Sequence, residues 1–226
     1  MVQAARQLYE RTLDPVERIP WVWIERSALT PAKPGGWRKH LILAAPAGRE
    51  TEPDGLAGYA YGAFIPGYGG YLCYVGVSPE ARRLGVGTRL FDAFFDAMRA
   101  DAQAADESLP FVVWESHRPE DNESLWTARL RLFDRAGGLW LQGVDFLAPN
   151  FAEEDGEPVP LQLFVRPMDR TVQAFGEAKL RSVVHGLYER VYRIDEDDAL
   201  YQNTLTPGCH LRLAPALKAA RPHQPA

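Results

Sequence analysis

Between Tyr71 and Ala100 a strand, a short Arg/Gly-rich turn and a helix follow one another without interruption, and this joint constrains the fold more than any other stretch. Tyr71-Leu72-Cys73-Tyr74-Val75-Gly76-Val77 alternates aromatic and β-branched residues as a buried or half-buried strand does, and Ser78-Pro79-Glu80 stops it. Arg82-Arg83-Leu84-Gly85-Val86-Gly87-Thr88 then leads into a helical pattern. There Arg89, Asp92, Asp96 and Arg99 share a polar face, and Leu90, Phe94, Ala97 and Met98 are left for the core. The glycines therefore sit at a helix N-terminus.

The first four N–H groups of a helix lack internal partners, and its dipole is positive there, so an anion is the natural guest. Gly85 and Gly87 reach backbone angles closed to other residues and let those N–H groups close on a phosphate as a nest. Arg82 and Arg83 add positive charge to the rim. The plainer reading is a tight turn with solvated arginines, but the flanking strand and helix favour the anion site. A dinucleotide-binding turn is set aside, because its third glycine would fall at Leu90 and no Gly-rich turn follows the first strand.

The run from Val75 to Thr88 resembles the acyl-CoA binding segment of the GNAT superfamily of N-acyltransferases, with Arg82, Gly85 and Gly87 in its signature places. The likeness extends more loosely over residues 4–168. It implies an α/β fold with a mixed, mostly antiparallel twisted sheet, flanking helices and a splayed central parallel strand pair. It also implies that the backbone at Val75 and Val77 pairs with a pantetheine arm. The amides of Arg83, Leu84, Gly85, Val86, Gly87 and Thr88 would hold the CoA pyrophosphate, and Asn122 and Ser124 would contact the arm.

A net charge of -5 argues against a nucleic-acid surface. No apolar run reaches membrane-spanning length, and residues 1–10 lack the features of a signal peptide, so the expectation is a cytoplasmic protein. Cys73 and Cys209 give neither a disulfide framework nor metal-ligand spacing, and Cys73 reads as core filling.

Residues 3–11 read as a helix, and Asp14-Pro15-Val16-Glu17 has the form of a capping box opening a second, which Pro20 interrupts. The resemblance places Trp21 and Trp23 at an amine-acceptor pocket; aromatic core is the alternative. The family's first strand has no room here, so it is expected to be missing or the N-terminus shortened. Strands are expected at 40–45, 56–64 and 111–115, with the central helix running to about Ala105 and the next from near residues 120–124 to Ala136. Strands at 139–146 and 160–165 complete the sheet around an acidic loop, 149–158, read as solvated or as an attractor of a cationic amine. Beyond the domain at 1–168, a helical extension at 169–205 carries one long apolar stripe, Val172 to Val191, buried on the domain or on a second copy as a homodimer. A disordered tail is expected at 206–226.

Moving an acyl group to an amine requires a held donor, a neutral amine and a stabilised oxyanion. Alkyl amines are protonated at neutral pH, with a pKa of about 10.4 for a lysine side chain, so a base is required. Glu115, ending an apolar strand, is the first candidate, and His117 on the same parity is the second; a solvated strand end is the alternative for Glu115. The backbone N–H near Val75 would serve the oxyanion. The family's tyrosine acid falls at Phe133, which cannot donate; Tyr74 or Tyr71 would have to substitute, unless both simply pack the core. The expected function is an N-acetyltransferase using acetyl-CoA on a small-molecule or peptide amine, with no metal. An acyl-CoA binding module without turnover and an interaction protein dimerising through the C-terminal helix are the rivals.

Overall fold

The computed structural model describes residues 2–49, 52, 55–119, 122–151, 156–168, 175–205 and 208–220. They form two compact units, one of Met1–Leu109 with Asn150–Gly156, the other of Pro110–Pro149 with Glu157–Ala226. Among the described residues no helix is long and apolar enough to cross a membrane.

The first unit contains α1 (Val2–Thr12), a 3₁₀ turn (Pro15–Glu17), α2 (Trp21–Leu29), β1 (Arg38–Ala44), β2 (Gly58–Ile65), β3 (Gly69–Val77), a 3₁₀ turn (Pro79–Ala81) and α3 (Val86–Ala104). Asp14 starts only the 3₁₀ turn, with Glu17 N donating to Asp14 O at 3.0 Å. Proline lacks an N–H and disfavours helix at the residue before it, so α2 waits until Trp21, after Pro20.

The three strands form an antiparallel meander. Every residue of β2 is buried, because α3 covers one face while α1 packs against the same sheet. Leu90, Phe91, Phe94, Phe95 and Met98 line the buried side of α3. Gly62 permits the close approach: a Cβ there would sit 2.6 Å from the Phe94 ring. Between β2 and β3 the register passes from Tyr61 opposite Tyr74 to Gly62 opposite Leu72. Cys73 is thus the extra residue of a β-bulge, which bends β3 and re-aims the side chains after it.

The second unit contains β4 (Phe111–Ser116), α4 (Glu123–Arg135), β5 (Leu139–Gln142), β6 (Phe146–Ala148), β7 (Val159–Pro167), α5 (Glu177–Gly186), a π-helical segment (Leu187–Tyr192), α6 (Ala199–Thr204), β8 (Arg212–Pro215) and a final 3₁₀ turn (Ala216–Ala220). β7 pairs antiparallel with β4, β5 and β6, and β5 pairs with β8. Trp114 stacks on Phe164 at 6.2 Å, and Phe133 packs on Phe164 at 4.8 Å.

The structure corrects three expectations. The strand expected over 139–146 is two strands, because Gly143 at φ 84° turns the chain between them. The long helix begins only at Glu177 and passes into the π-helical segment at Gly186, while its Val172 end lies outside the described residues. Leu180, Val183, Val184 and Leu187 are buried within the single chain, the first of the two alternatives for the stripe. Finally, much of the expected tail is ordered. Leu213 pairs with Leu141, the small side chains of Ala214, Ala216 and Ala219 are buried, and the Trp126 indole N–H donates to Ala219 O at 3.2 Å.

Candidate active site

β3 ends where Ser78, buried, donates its N–H to Ala57 O at 2.9 Å and accepts from Ala81 N at 3.2 Å through Oγ. That cap closes the Pro79–Ala81 turn and delivers the chain to the joint. Two residues then take left-handed backbone, Arg83 at φ 66° and Gly85 at φ 77°. For arginine this conformation costs about 1–2 kcal/mol, and strain of this kind gathers at ligand clamps.

Gly85 is the N-cap of α3 and offers no side-chain cap to the first-turn amides. Its carbonyl accepts from Arg89 N at 3.1 Å, which closes the first turn of the helix. A Cβ built on Gly85 meets nothing within 4 Å, so glycine is favoured here by its φ and not by lack of room, and the space before the amides is open. Arg82, Arg83, Leu84 and Gly85 are exposed, whereas Val86 and Gly87 are buried and anchor the helix. Left-handed residues, uncapped amides, open space and two exposed guanidiniums together fit a phosphate group. Upstream, Val75 and Val77 are partly exposed and Gly76 between them is buried.

Tyr74 precedes them on β3. Its hydroxyl donates to Glu17 O at 2.8 Å and accepts from Ile19 N at 3.0 Å, pinning the segment between α1 and α2. Burial pushes this phenol far above its ordinary titration range. Tyr9 works alongside it, donating to Ile19 O at 2.9 Å. Trp21 is buried against Tyr9, with ring centroids 5.4 Å apart, while Trp23 is half exposed and lies edge-on to Phe151 at 6.4 Å.

The remaining sequence candidates stand in the second unit. Glu115, partly buried, accepts a hydrogen bond on Oε1 from the Tyr192 hydroxyl at 2.5 Å. His117 follows β4, and its carbonyl accepts from Arg129 Nη1 at 3.1 Å. Asn122 is the N-cap of α4: its Oδ1 accepts from Leu125 N at 2.9 Å and from Ser124 Oγ at 3.0 Å. Phe133 is buried against Trp114 and Phe164 and offers no hydroxyl. Tyr192, which contacts Glu115, is not among the residues that the sequence singles out. It lies 77 residues from its partner, and nothing local distinguishes it from other tyrosines of the extension.

The profile of the Acetyltransferase (GNAT) family matches residues 3–115, half of the 226-residue chain. No curated protein sequence matches the chain significantly. Among solved structures, a GNAT-family acetyltransferase from Bacteroides thetaiotaomicron superposes with a TM-score of 0.53 at 16% identity, over 84% of this chain and 91% of that one. The ribosomal-protein-S18-alanine N-acetyltransferase of Escherichia coli gives 0.48 at 12% identity, over 75% of this chain and 89% of its own. A streptothricin acetyltransferase of Bacillus anthracis, in complex with acetyl coenzyme A, gives 0.44 at 15% identity, over 65% and 68%. The first of these likenesses shows the fold: mixed α/β, mostly antiparallel, with flanking helices.

Proposed function

The chain belongs to the GNAT acetyltransferase family, and on that premise we propose that it moves an acetyl group from acetyl-CoA to a primary amine, the amine attacking the thioester directly. The observation that carries this reading is the uncapped start of α3 behind two left-handed residues, Arg83 and Gly85. Acetyl-CoA supplies an acyl group activated as a thioester and a diphosphate by which it can be held.

The amides of Arg83 to Thr88 hold the diphosphate, and Arg82 and Arg83 add charge at the rim. The backbone of Val75 and Val77 lines the pantetheine arm, with the Val75 N–H serving the oxyanion. Asn122 and Ser124 are assigned to the arm on the family pattern alone. Glu115 takes the proton that the ammonium must lose, with His117 as the second candidate. Tyr74 receives no proton-transfer role, since its hydroxyl is engaged on both sides by the backbone. The acceptor is a small-molecule or peptide amine.

Binding without turnover is the second reading, and Phe133 favours it, because a hydrocarbon ring stands where the family pattern expects a phenol. Incubating the purified protein with acetyl-CoA and a panel of alkyl amines, amino acids and peptides, with thiol detection and mass spectrometry of the acceptors, separates the two. Amine-dependent thiol release with an acetylated acceptor supports transfer. Acetyl-CoA binding with thiol release no faster than hydrolysis supports the second reading. Absence of binding overturns both.

A further inference from the structure

We infer that the C-terminal extension supplies a positioning residue for the transfer chemistry: Tyr192 holds the Glu115 carboxylate charged and fixed in direction through its hydroxyl. This rests on the assignment of Glu115 as proton acceptor.

The hydroxyl of Tyr192 donates to Glu115 Oε1 at 2.5 Å, within the range of a bond from O–H to an ionised acceptor. The backbone that presents it is unusual. α5 gives way at Gly186 to a π-helical segment, a form concentrated at functional sites, which ends at Arg193 with φ 61°. Ile194 N closes that end on Tyr188 O at 3.0 Å.

The Tyr192 ring is held before its hydroxyl reaches the carboxylate. It packs on Phe146 and on Tyr188, each with centroids 6.1 Å apart. Tyr188 is itself tied down, donating to Leu147 O at 2.8 Å and sharing a 2.5 Å hydrogen bond with Thr204. Such a scaffold exceeds what a solvated strand end requires.

A donor on one carboxylate oxygen favours the charged form and leaves the second oxygen directed. One group of the extension is electrostatically coupled to the same carboxylate. Tyr188 of the extension has its titration pushed up, first by burial and also by the Glu115 charge and by Asp198. His117 follows β4, with the Arg129 guanidinium on its carbonyl. Across the pair with β7 stand Leu163 and, beside it, the neutral Gln162.

Tyr192→Phe keeps the ring and removes the donor. With ¹³C-carboxyl glutamate, and Glu115→Gln to identify the resonance, the Glu115 midpoint should rise by about one pH unit. The acid limb of kcat/KM should rise with it, while KM for acetyl-CoA stays unchanged. Thr204→Val, which breaks the Tyr188–Thr204 bond, should lower the melting temperature and leave both titrations in place. An unmoved Glu115 midpoint in Tyr192→Phe overturns the inference, as does a moved midpoint with an unmoved acid limb. If the wild type transfers no acetyl group the functional reading fails, and the carboxyl titration by itself still reports whether Tyr192 holds Glu115.

Discussion

On the reading proposed above, the turn at 82–88 and the Glu115–Tyr192 pair both serve negative charge, one receiving it from a ligand and the other keeping it on a carboxylate. They are constructed by opposite means. The turn uses consecutive residues and works through backbone: φ 66° and 77° at Arg83 and Gly85, and first-turn amides with no side-chain cap. The pair joins side chains 77 residues apart and depends on a π-helical segment, a tyrosine scaffold and a strand end. A backbone site tolerates change in its side chains but not in its φ values. A side-chain site is lost with one oxygen atom.

That contrast can be broken most forcefully at Gly85. Gly85→Glu places bulk and a like charge in the open space, and CoA binding measured by calorimetry should fall at least about 1,000-fold, a loss of about 4 kcal/mol. The Cβ meets nothing within 4 Å, so the fold should survive with a strain of about 1–2 kcal/mol. Retained binding would mean that the turn is only a turn. Glu115→Gln sharpens the other side: kcat should fall about 100-fold, the low end for a general base, with the CoA dissociation constant unchanged. If affinity falls and kcat does not, the carboxylate belongs to binding and the division between the two regions disappears.

The smallest effect tests how the extension itself is held. Glu177 is partly exposed, and its carboxyl titrates below the ordinary range, first because Arg181 donates to it and then through His210. A depressed folded-state pKa stabilises above the unfolded value, and that contribution is lost as pH falls through the folded one. Glu177→Gln should therefore lower the melting temperature slightly near pH 7, and the gap should close in acid and shrink with added salt. A large gap at neutral pH would show that surface charge, rather than the buried Leu180, Val183, Val184 and Leu187, secures α5.

The same contrast explains how much of the molecule is legible in the chain before folding. The strand, turn and helix from Tyr71 onward are legible because every determinant is local: alternation, Ser78-Pro79, two glycines and a periodic apolar face. The Cys73 bulge is not, since it exists only in the register of β3 against β2. Nor is β8, a short stretch containing proline and alanine that becomes a strand only because β5 offers it an edge and Trp126 secures the final 3₁₀ turn behind it. Tyr192 falls in the same group: the apolar stripe predicts a helix through Val191, but a change to π geometry depends on the surface against which the helix packs. Of the candidate site, the half written in consecutive backbone is visible in the sequence. The half assembled from distant side chains needs the fold.

The central claim, that the start of α3 holds the diphosphate of CoA, is tested most directly by titrating CoA into ¹⁵N-labelled protein and following the amide resonances. The largest saturable shifts should fall on Arg83, Leu84, Gly85, Val86, Gly87 and Thr88, and inorganic pyrophosphate alone should move the same amides at higher concentration. Saturable shifts confined to other residues, with these six unmoved, would contradict it.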